Sequence, residues 1–314
     1  MERIAIVVDA SCDLPKSFFD EHKVQILPVY FSHNGATLVD DRQTKVTSEF
    51  YRSNQFDTDS IKANLSEADN IIRLLKEKII PNFDSILVIT CHEKRSPINH
   101  LVRETTFNNK DRFTAWRLEH DLDTKFKIKI VDSINVFSGH GLLAFETVRL
   151  LTEKAIPFEN LHKPMELLKP KIQTLIATND IQALRQSKPK KDGTKSTTTK
   201  MSWMDYQVGK VLDKKPVLKL QNGQFITLSK EKGFKNAASK IYEQVLTEVK
   251  AGLGRPIVNI SYAGNLAEIK TDPSFKAFVR KLAASQIKTM VSMMSITGAK
   301  SVGRGAISIS YIKK

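Results

Sequence analysis

Short apolar runs alternate with amphipathic segments over the first half of the chain. Runs rich in Ile and Val predict strands at Arg3–Asp9, Val24–Phe31, Asp84–Thr90 and Lys127–Val131. Apolar residues at helical spacing predict helices at Lys16–His22, Ser48–Asn54, Ser66–Ile80 and Gly141–Lys154. Pro28 interrupts the second strand, so we expect it at a sheet edge or a bulge. The alternation of strands and helices predicts a mainly parallel sheet with helices on its faces.

The pattern changes after about residue 164. Strands are predicted at Thr174–Thr178, Pro216–Leu220, Phe225–Ser229, Pro256–Ser261, Met290–Ile296 and Ala306–Ile312, with helices at Lys235–Lys250 and Ser274–Gln286. The dipeptide Asn222-Gly223 lies between two of these strands and predicts a tight hairpin. With 314 residues, the chain is expected to form an α/β domain over residues 1–163 and an α+β domain over 164–314.

The segment Phe83–His100 is the leading candidate for a site. It reads as a buried strand whose C-terminal end opens into a polar loop, and open α/β sheets bind ligands just beyond such strand ends. The loop carries a hydroxyl and both signs of charge, in His92, Glu93, Lys94, Arg95 and Ser96. Ser96 lacks the G-x-S-x-G setting of a strained nucleophile, so a hydrogen-bonding role is favoured over nucleophilic attack.

Carboxylates at other strand ends have two interpretations. Asp9 and Asp132 each follow a predicted strand, where they could act as a base or a metal ligand, but an Asx turn that holds loop amides is favoured. His92 and Glu93 could form an acid–base pair, although adjacent residues on an extended loop usually point in different directions. An enzyme that uses Asp9, His92 and Asp132 therefore remains open as an alternative.

Charge and composition narrow the classes of partner. The net charge is +15, which fits either attraction to an anionic partner or a lysine-rich solvated surface, and the scatter of lysines favours the surface. The run Lys188–Lys200 is expected to be a loop, and a basic interaction protein that uses it is a further alternative. Aromatic residues do not interleave with those lysines, so nucleic acid is not expected as a partner.

The chain lacks several sequence signals that would indicate a membrane span, a metal site or a nucleotide site. No apolar run is long enough for a membrane span, and Cys12 and Cys91 fit a reducing cytoplasm better than a disulfide scaffold. Zinc-site spacings and a Walker A motif are missing, so no metal and no cofactor are expected. Gly303-Arg304-Gly305 could receive an anion, or it could be a plain turn into the last strand.

Several segments, taken in order, resemble the DegV family of bacterial lipid-binding proteins. These are I-A-I-V-V-D-A-S-C-D-L-P (Ile4–Pro15), V-Q-I-L-P-V-Y-F (Val24–Phe31) followed by Asp40, I-K-I-V-D-S-I-N-V-F-S-G-H-G-L-L (Ile128–Leu143), D-I-Q-A-L-R (Asp180–Arg185), K-K-P-V-L-K-L-Q-N-G (Lys214–Gly223) and G-R-G-A-I-S-I (Gly303–Ile309). The resemblance covers nearly the whole chain. It implies a two-domain α/β protein without catalysis of its own, which holds a long-chain fatty acid such as palmitate in a tunnel between the domains.

The resemblance also implies partners and site residues. In several bacteria such a protein presents the fatty acid to a separate kinase subunit that makes an acyl phosphate, a cytoplasmic role in lipid transport or fatty acid metabolism. The ligand-contacting serine of the family corresponds to Ser96, and a binding threonine and histidine of the family are replaced here. The implied ligand-binding positions are Ser96, Ala63, Asn64, Lys232, Ser301 and Arg304.

Overall fold

A computed structural model describes residues 2–33, 36–53, 62–64, 68–179 and 214–314 of the chain. Within these residues, the strands form two large β-sheets and one small one, and helices pack against them. The Lys188–Lys200 run and the Asp180–Arg185 segment lie outside the described residues.

The first large sheet is entirely parallel, as the sequence predicted. Its strands are β1 (Ile4–Asp9), β2 (Gln25–Leu27), β6 (Ser85–Thr90) and β7 (Lys127–Asp132), in the order β2-β1-β6-β7. The two central strands are buried on both faces, which explains why they read as continuous apolar runs rather than alternating ones.

Pro28 divides the predicted second strand between two sheets. The chain leaves β2 at Pro28 and continues as β3 (Val29–His33) in a small antiparallel sheet with β4 (Ala36–Asp40) and β5 (Lys62–Asn64). Proline has no N–H to donate to a sheet ladder, so it suits the point where the strand changes partners.

The helices of the first half of the chain pack on the parallel sheet and, in the case of α2, on the small sheet. They are α1 (Lys16–Glu21), α2 (Thr44–Arg52), α3 (Ala68–Leu74) with a π-helical continuation (Leu75–Ile79), α4 (Ile98–Asn108), α5 (Lys110–Leu118), α6 (Phe137–Thr152) and α7 (His162–Leu168). The sequence did not predict α4 and α5. The buried Trp116 and Phe113 of α5 pack with α4 against the parallel sheet.

The second large sheet is mixed. Its strands are β8 (Ile172–Ala177), β9 (Lys214–Gln221), β10 (Gln224–Lys232), β11 (Leu253–Tyr262), β12 (Lys288–Met293) and β13 (Ile307–Lys313), in the order β10-β9-β8-β13-β11-β12. Only the β11–β12 pairing is parallel. The associated helices are α8 (Phe234–Ala251), α9 (Leu266–Thr271), α10 (Pro273–Ala284) and α11 (Ile296–Val302). Runs of antiparallel strands with helices bear out the α+β prediction.

Helix α6 lies between the two large sheets and joins their cores. Its Leu142 and Leu143 pack in one apolar cluster with residues of both sheets. A Cβ atom on Gly141 would lie 2.2 Å from the Asp13 carbonyl oxygen, and one on Gly139 would lie 2.1 Å from the Thr174 hydroxyl. Gly141 therefore allows the α6 backbone to approach the Asp13 backbone, and Gly139 leaves room for the Thr174 side chain.

The domain boundary predicted between residues 163 and 164 falls inside α7, and it stays a prediction. Over the described ranges, no helix combines the length and the apolar character that crossing a membrane would require.

Candidate functional site

The loop that follows β6 forms a compact turn at the junction of the two large sheets. We call residues 92–96 the Ser96 turn. The His92 carbonyl oxygen accepts the N–H groups of Arg95 at 2.7 Å and of Ser96 at 3.2 Å. The Ser96 hydroxyl oxygen in turn accepts the Ile98 N–H at 3.3 Å, where α4 begins. The half-buried Ser96 is thus held at the C-terminal end of a buried strand.

Asp9 supports this turn from the neighbouring strand. One of its carboxylate oxygens accepts the Ser11 N–H at 2.9 Å, and the other accepts the Cys91 N–H at 2.6 Å. The Asx-turn interpretation is confirmed for Asp9, and likewise for Asp132, which accepts the Ile134 N–H at 2.8 Å. Both carboxylates hold loop backbone.

His92 is buried and connects two parts of the chain. Its Nε2 lies 3.0 Å from the carbonyl oxygen of Gly223, at the tip of the β9–β10 hairpin, and its Nδ1 lies 3.4 Å from an Asp132 carboxylate oxygen. Burial acts to raise the pKa of Asp132, but the contact with His92 and the Ile134 N–H outweigh it, and the pKa is lowered. The neighbouring Glu93 is exposed, as expected, and the carboxylate beside His92 is that of Asp132.

Arg95 makes a second contact between the Ser96 turn and the hairpin. Its guanidinium carbon lies 4.3 Å from the centre of the Phe225 ring. Burial lowers the pKa of Arg95 to about 10, because a charged group loses hydration there. Sequence reasoning assigned no separate role to Arg95. The signal that could have identified it is its positive charge directly before Ser96.

The hairpin has the predicted turn. Asn222 and Gly223 both have positive φ angles, of 49° and 72°, as a two-residue turn of this kind requires. A Cβ atom on Gly223 would lie 2.9 Å from the His92 Nε2. Glycine is therefore needed for the backbone conformation and for the approach of the imidazole.

The other predicted ligand-binding residues are scattered. The backbone of β5 places Ala63 opposite Phe31 and Asn64 opposite Tyr30 in the small sheet. Lys232 is exposed at the far end of β10, eight residues from the hairpin tip and thus about 26 Å from it along the strand. The structure does not bring Lys232 to the Ser96 turn.

Ser301 and Arg304 serve the local structure around α11. The Ser301 hydroxyl donates to the Thr297 carbonyl oxygen of the preceding turn at 3.1 Å. The Arg304 guanidinium donates to the carbonyl oxygens of Phe50 at 2.5 Å and Ser53 at 2.8 Å, where α2 ends. Arg304 therefore stabilises the C-terminus of α2. The roles of Ser96, Ala63, Asn64, Lys232, Ser301 and Arg304 in binding a ligand stay predictions.

A second polar group lies at the junction, and we call Asp13, Arg42 and Asp40 the buried ionic cluster. Arg42 Nη1 lies 3.1 Å from Asp13 Oδ1, and both side chains are almost fully buried. Asp13 also accepts the Ser295 N–H at 2.9 Å, and Asp40 accepts the Thr297 N–H at 2.8 Å.

The cluster joins the N-terminal strands to the segment that follows β12. Burial raises the pKa of Asp13 to about 6, against the opposing effect of Arg42. Sequence analysis missed Arg42, which carried no motif.

The remaining candidates make structural contacts in the part of the chain that is described. Cys91 is buried, as expected for a small apolar residue, and burial together with the charge of Asp9 raises its thiol pKa well above the usual value. Of the three groups considered for an enzyme, His92 contacts Asp132, whereas Asp9 accepts hydrogen bonds from backbone amides. Over the same described residues, no three His, Cys, Asp or Glu side chains are grouped to hold a metal ion.

Comparison with known proteins agrees with this architecture. A protein of Xanthomonas campestris pv. campestris named as DegV domain-containing is 27% identical over 310 residues, covering 98% of this chain and 97% of its own. A structure from Thermotoga maritima described as a DegV lipid binding protein matches with a TM-score of 0.74 at 18% identity, covering 99% and 98% of the two chains. The Bacillus subtilis structure described as DegV, a fatty acid binding protein, matches with a TM-score of 0.73 at 18% identity over the full length of both chains.

The family model covers almost every residue discussed above. Described as an uncharacterised protein of the DegV family, it matches residues 3–314, and so includes the parallel sheet, the Ser96 turn and the mixed sheet. The solved structures share the fold over nearly the whole chain. This chain therefore belongs to the DegV family.

Proposed function

We propose that this protein binds a long-chain fatty acid, such as palmitate, with the carboxylate at the Ser96 turn. The observation that carries the proposal is the position of Ser96, at a strand end and beneath a hairpin that comes from the other large sheet. The half-buried Arg95 beside it supplies a positive charge for a carboxylate. The descriptions of the Bacillus subtilis and Thermotoga maritima relatives as fatty acid and lipid binding proteins support the ligand class.

The tail would lie among apolar residues that both halves of the chain contribute. One cluster combines Phe31 and Phe50 with Leu220 and Met294, and Phe225 packs against it. A C16 chain buries on the order of 400 Å² of apolar surface, worth roughly 10 kcal/mol at about 25 cal/mol per Å². Burial of the tail would then dominate the affinity, and the polar turn would set the orientation.

Native mass spectrometry of protein purified from cells tests the ligand. The expected result is a bound mass of a C14–C18 fatty acid, and protein that arrives empty and does not take up palmitate would contradict the proposal. Ser96→Ala should weaken palmitate binding on the order of 10- to 100-fold, since one hydrogen bond to a charged group contributes about 1.5–3 kcal/mol. Ser17→Ala, on the exposed surface of α1, is the matched control and should bind like the wild type.

We further propose that the protein presents the bound acid to a separate kinase subunit. The described residues at the Ser96 turn include no nucleophile with an activating base, so phosphorylation would be the partner's chemistry. Palmitate, ATP, this protein and a bacterial fatty acid kinase subunit should together give an acyl phosphate that hydroxylamine traps. If the kinase subunit forms as much acyl phosphate without this protein as with it, the proposed carrier role is contradicted.

A further inference from the structure

The outer edge of the parallel sheet is formed by β7. This strand is last in the order β2-β1-β6-β7, and among the described residues it pairs with β6 alone. The N–H of Lys127 donates to the Asp84 carbonyl oxygen at 3.3 Å, and the N–H of Ser133 donates to the last carbonyl oxygen of β6 at 2.9 Å. Backbone groups alternate between the two sides of a strand, so Ile128 and Ile130 direct their N–H and C=O groups away from β6.

These outward backbone groups can pair with a further strand. Within the described ranges, one of them has a partner, the Ile130 carbonyl oxygen, which accepts from the exposed Arg103 guanidinium at 2.8 Å. The two isoleucine side chains are half-buried, so the edge is in contact with solvent. A row of unpaired N–H and C=O groups is the template on which an extended peptide adds to a sheet.

An open groove runs along this edge, between β7 and the helices α4 and α5. It encloses about 550 Å³, and its apolar lining comes from Ile128, Ile130 and Phe107. The Phe107 side chain is 70% exposed, so an added strand would bury most of its ring. The groove thus offers apolar contacts beside the unpaired backbone groups.

The groove also carries two cations that contact no carboxylate among the described residues. Arg103 donates to an amide oxygen and a backbone carbonyl oxygen, and the Lys110 ammonium lies 4.9 Å from the centre of the Phe107 ring. The carboxylate in the lining, that of Glu104, lies 3.6 Å from the His100 imidazole. Carboxylates of a partner would therefore complement the groove, in agreement with the net charge of +15.

The spacing of these side chains suits a strand. Arg103 and Phe107 are four residues apart on α4, or about 6 Å along the helix axis, and Lys110 follows three residues later. Side chains on one face of a strand repeat every two residues, or about 6.8 Å. An acidic, an apolar and an acidic side chain at alternate positions of a strand can therefore meet the three in order.

A second copy of this chain fits the edge less well. Pairing of two β7 strands about a two-fold axis would place Lys127 and Lys129 of one copy beside the same lysines of the other. Like charges on directly opposed strand positions are destabilising. The charge of the edge favours an acidic partner over self-association.

We propose that β7 is a docking edge for an extended, acidic segment of a partner protein, which adds to the parallel sheet as a further strand. An apolar side chain of the segment packs on Phe107, Ile128 and Ile130, and the flanking carboxylates lie near Arg103 and Lys110. The proposal does not depend on fatty acid binding, because none of these residues belongs to the Ser96 turn.

Hydrogen–deuterium exchange of single amides, read by NMR, tests the edge in the free protein. The amides of Ile128 and Ile130 should exchange at least about tenfold faster than those of Lys127 and Lys129, which face β6. Slow exchange at Ile128 and Ile130 would show that the edge is already covered, and it would overturn the proposal.

A short peptide of defined sequence tests the binding. The probe is the capped heptapeptide T-E-T-L-T-E-T, which presents two carboxylates and a central leucine on one face. It should bind with a Kd on the order of 100 µM and protect the Ile128 and Ile130 amides, whereas T-K-T-L-T-K-T should bind at least about tenfold more weakly. N-methylation of alternate peptide amides should abolish binding for one set and spare it for the other, because one edge of the peptide pairs with β7.

Three results of the peptide measurement would overturn the proposal. They are no binding of the acidic probe at about 1 mM, equal binding of the acidic and basic peptides, and full binding of both N-methylated sets. Dimerisation through β7, detected by sedimentation and by slow exchange of the Ile128 amide at high protein concentration, would assign the edge to a second copy instead.

Substitutions at exposed positions test the groove without threatening the fold. Phe107→Ala should weaken binding of the acidic peptide about tenfold, and Lys110→Gln about two- to fivefold, as expected for a buried ring and for one exposed charge pair. The matched controls are Leu118→Ala and Arg112→Gln, at exposed positions of α5 outside the groove lining, and both should bind like the wild type. Wild-type affinity in both groove variants would overturn the proposal.

Discussion

The two polar regions at the sheet junction are built from different contacts. In the buried ionic cluster, Arg42 lies between two buried carboxylates, and backbone amides complete their hydrogen bonds. In the Ser96 turn, the His92 imidazole and the Arg95 guanidinium contact the hairpin tip, and the serine itself is half-buried. The first region fixes the chain after β12 to the N-terminal strands, and the second joins a turn to a hairpin tip.

This difference shows how one junction can combine a strong connection with a weaker one. A buried ion pair leaves an uncompensated charge when one partner is removed, so it resists opening. The hairpin tip meets the Ser96 turn through a ring–carbonyl contact and a cation–ring contact, and each contact of these kinds contributes on the order of 1 kcal/mol. We therefore expect perturbations of the buried ionic cluster to change global stability, and perturbations of the Ser96 turn to change local opening of the hairpin.

Removal of Arg42 should have the largest effect. Arg42→Met leaves Asp13 and Asp40 buried without their cation, and it should lower the free energy of unfolding at pH 7 by about 3–5 kcal/mol. Urea denaturation measures the change. Lys16→Met, which removes an i,i+4 surface pair with Asp20, is the control and should cost less than about 1 kcal/mol. Equal losses in the two variants would mean that the buried ionic cluster is no stronger than a surface pair.

The pH dependence of stability isolates Asp13. Burial raises its pKa to about 6, whereas an unfolded aspartate titrates near 4, so the folded state holds this proton more tightly. The stabilisation that results is complete below about pH 4 and is lost as the pH rises through about 6. Relative to Asp13→Asn, the wild type should therefore lose about 3 kcal/mol between pH 4 and pH 7. Parallel pH profiles of the two proteins in urea denaturation would contradict this.

Helix α6 approaches the Asp13 backbone so closely that one added methyl group should destabilise the protein. In Gly141→Ala, the added Cβ would meet the Asp13 backbone carbonyl, and the expected loss of stability is about 1–3 kcal/mol. Gly139→Ala should cost less, because the atoms nearest its Cβ belong to the side chains of Thr174 and Asn135, which can rotate. Thermal denaturation of both variants checks the order, and the reverse order would show that the Asp13 backbone moves more readily than those side chains.

The smallest effect on stability is expected at the Ser96 turn. Phe225→Leu keeps an apolar side chain and removes the ring under Arg95, which should cost about 0.5–1 kcal/mol. Hairpin exchange should nevertheless increase, because the lost contact is one that holds the tip. Phe107→Leu, which alters a similar contact with Lys110 on the exposed surface, should leave hairpin exchange unchanged. A global loss of several kcal/mol in Phe225→Leu would show that the tip is part of the rigid core.

Sequence reasoning succeeded where a local signal has a single physical meaning. Asn222-Gly223 predicted the hairpin because both residues adopt positive φ readily, and Asp9 predicted an Asx turn because its short carboxylate reaches loop amides. It missed α4 and α5, although Ile98, Leu101 and Val102 stand at helical spacing in a segment that is otherwise polar. It also missed the start of α6, since Gly139 and Gly141 read as helix breakers when their packing against the mixed sheet is unknown.

The sequence by itself determined the parallel and mixed sheets, the hairpin turn and the membership of a family. It also singled out Ser96 at the end of a buried strand. The tertiary structure alone decided which side chains meet: His92 with Gly223 and Asp132, Arg95 with Phe225, and Arg42 with Asp13. Periodicity and turn chemistry act over a few residues, whereas these contacts join positions 29 to 131 residues apart and exist only once both sheets have packed against α6.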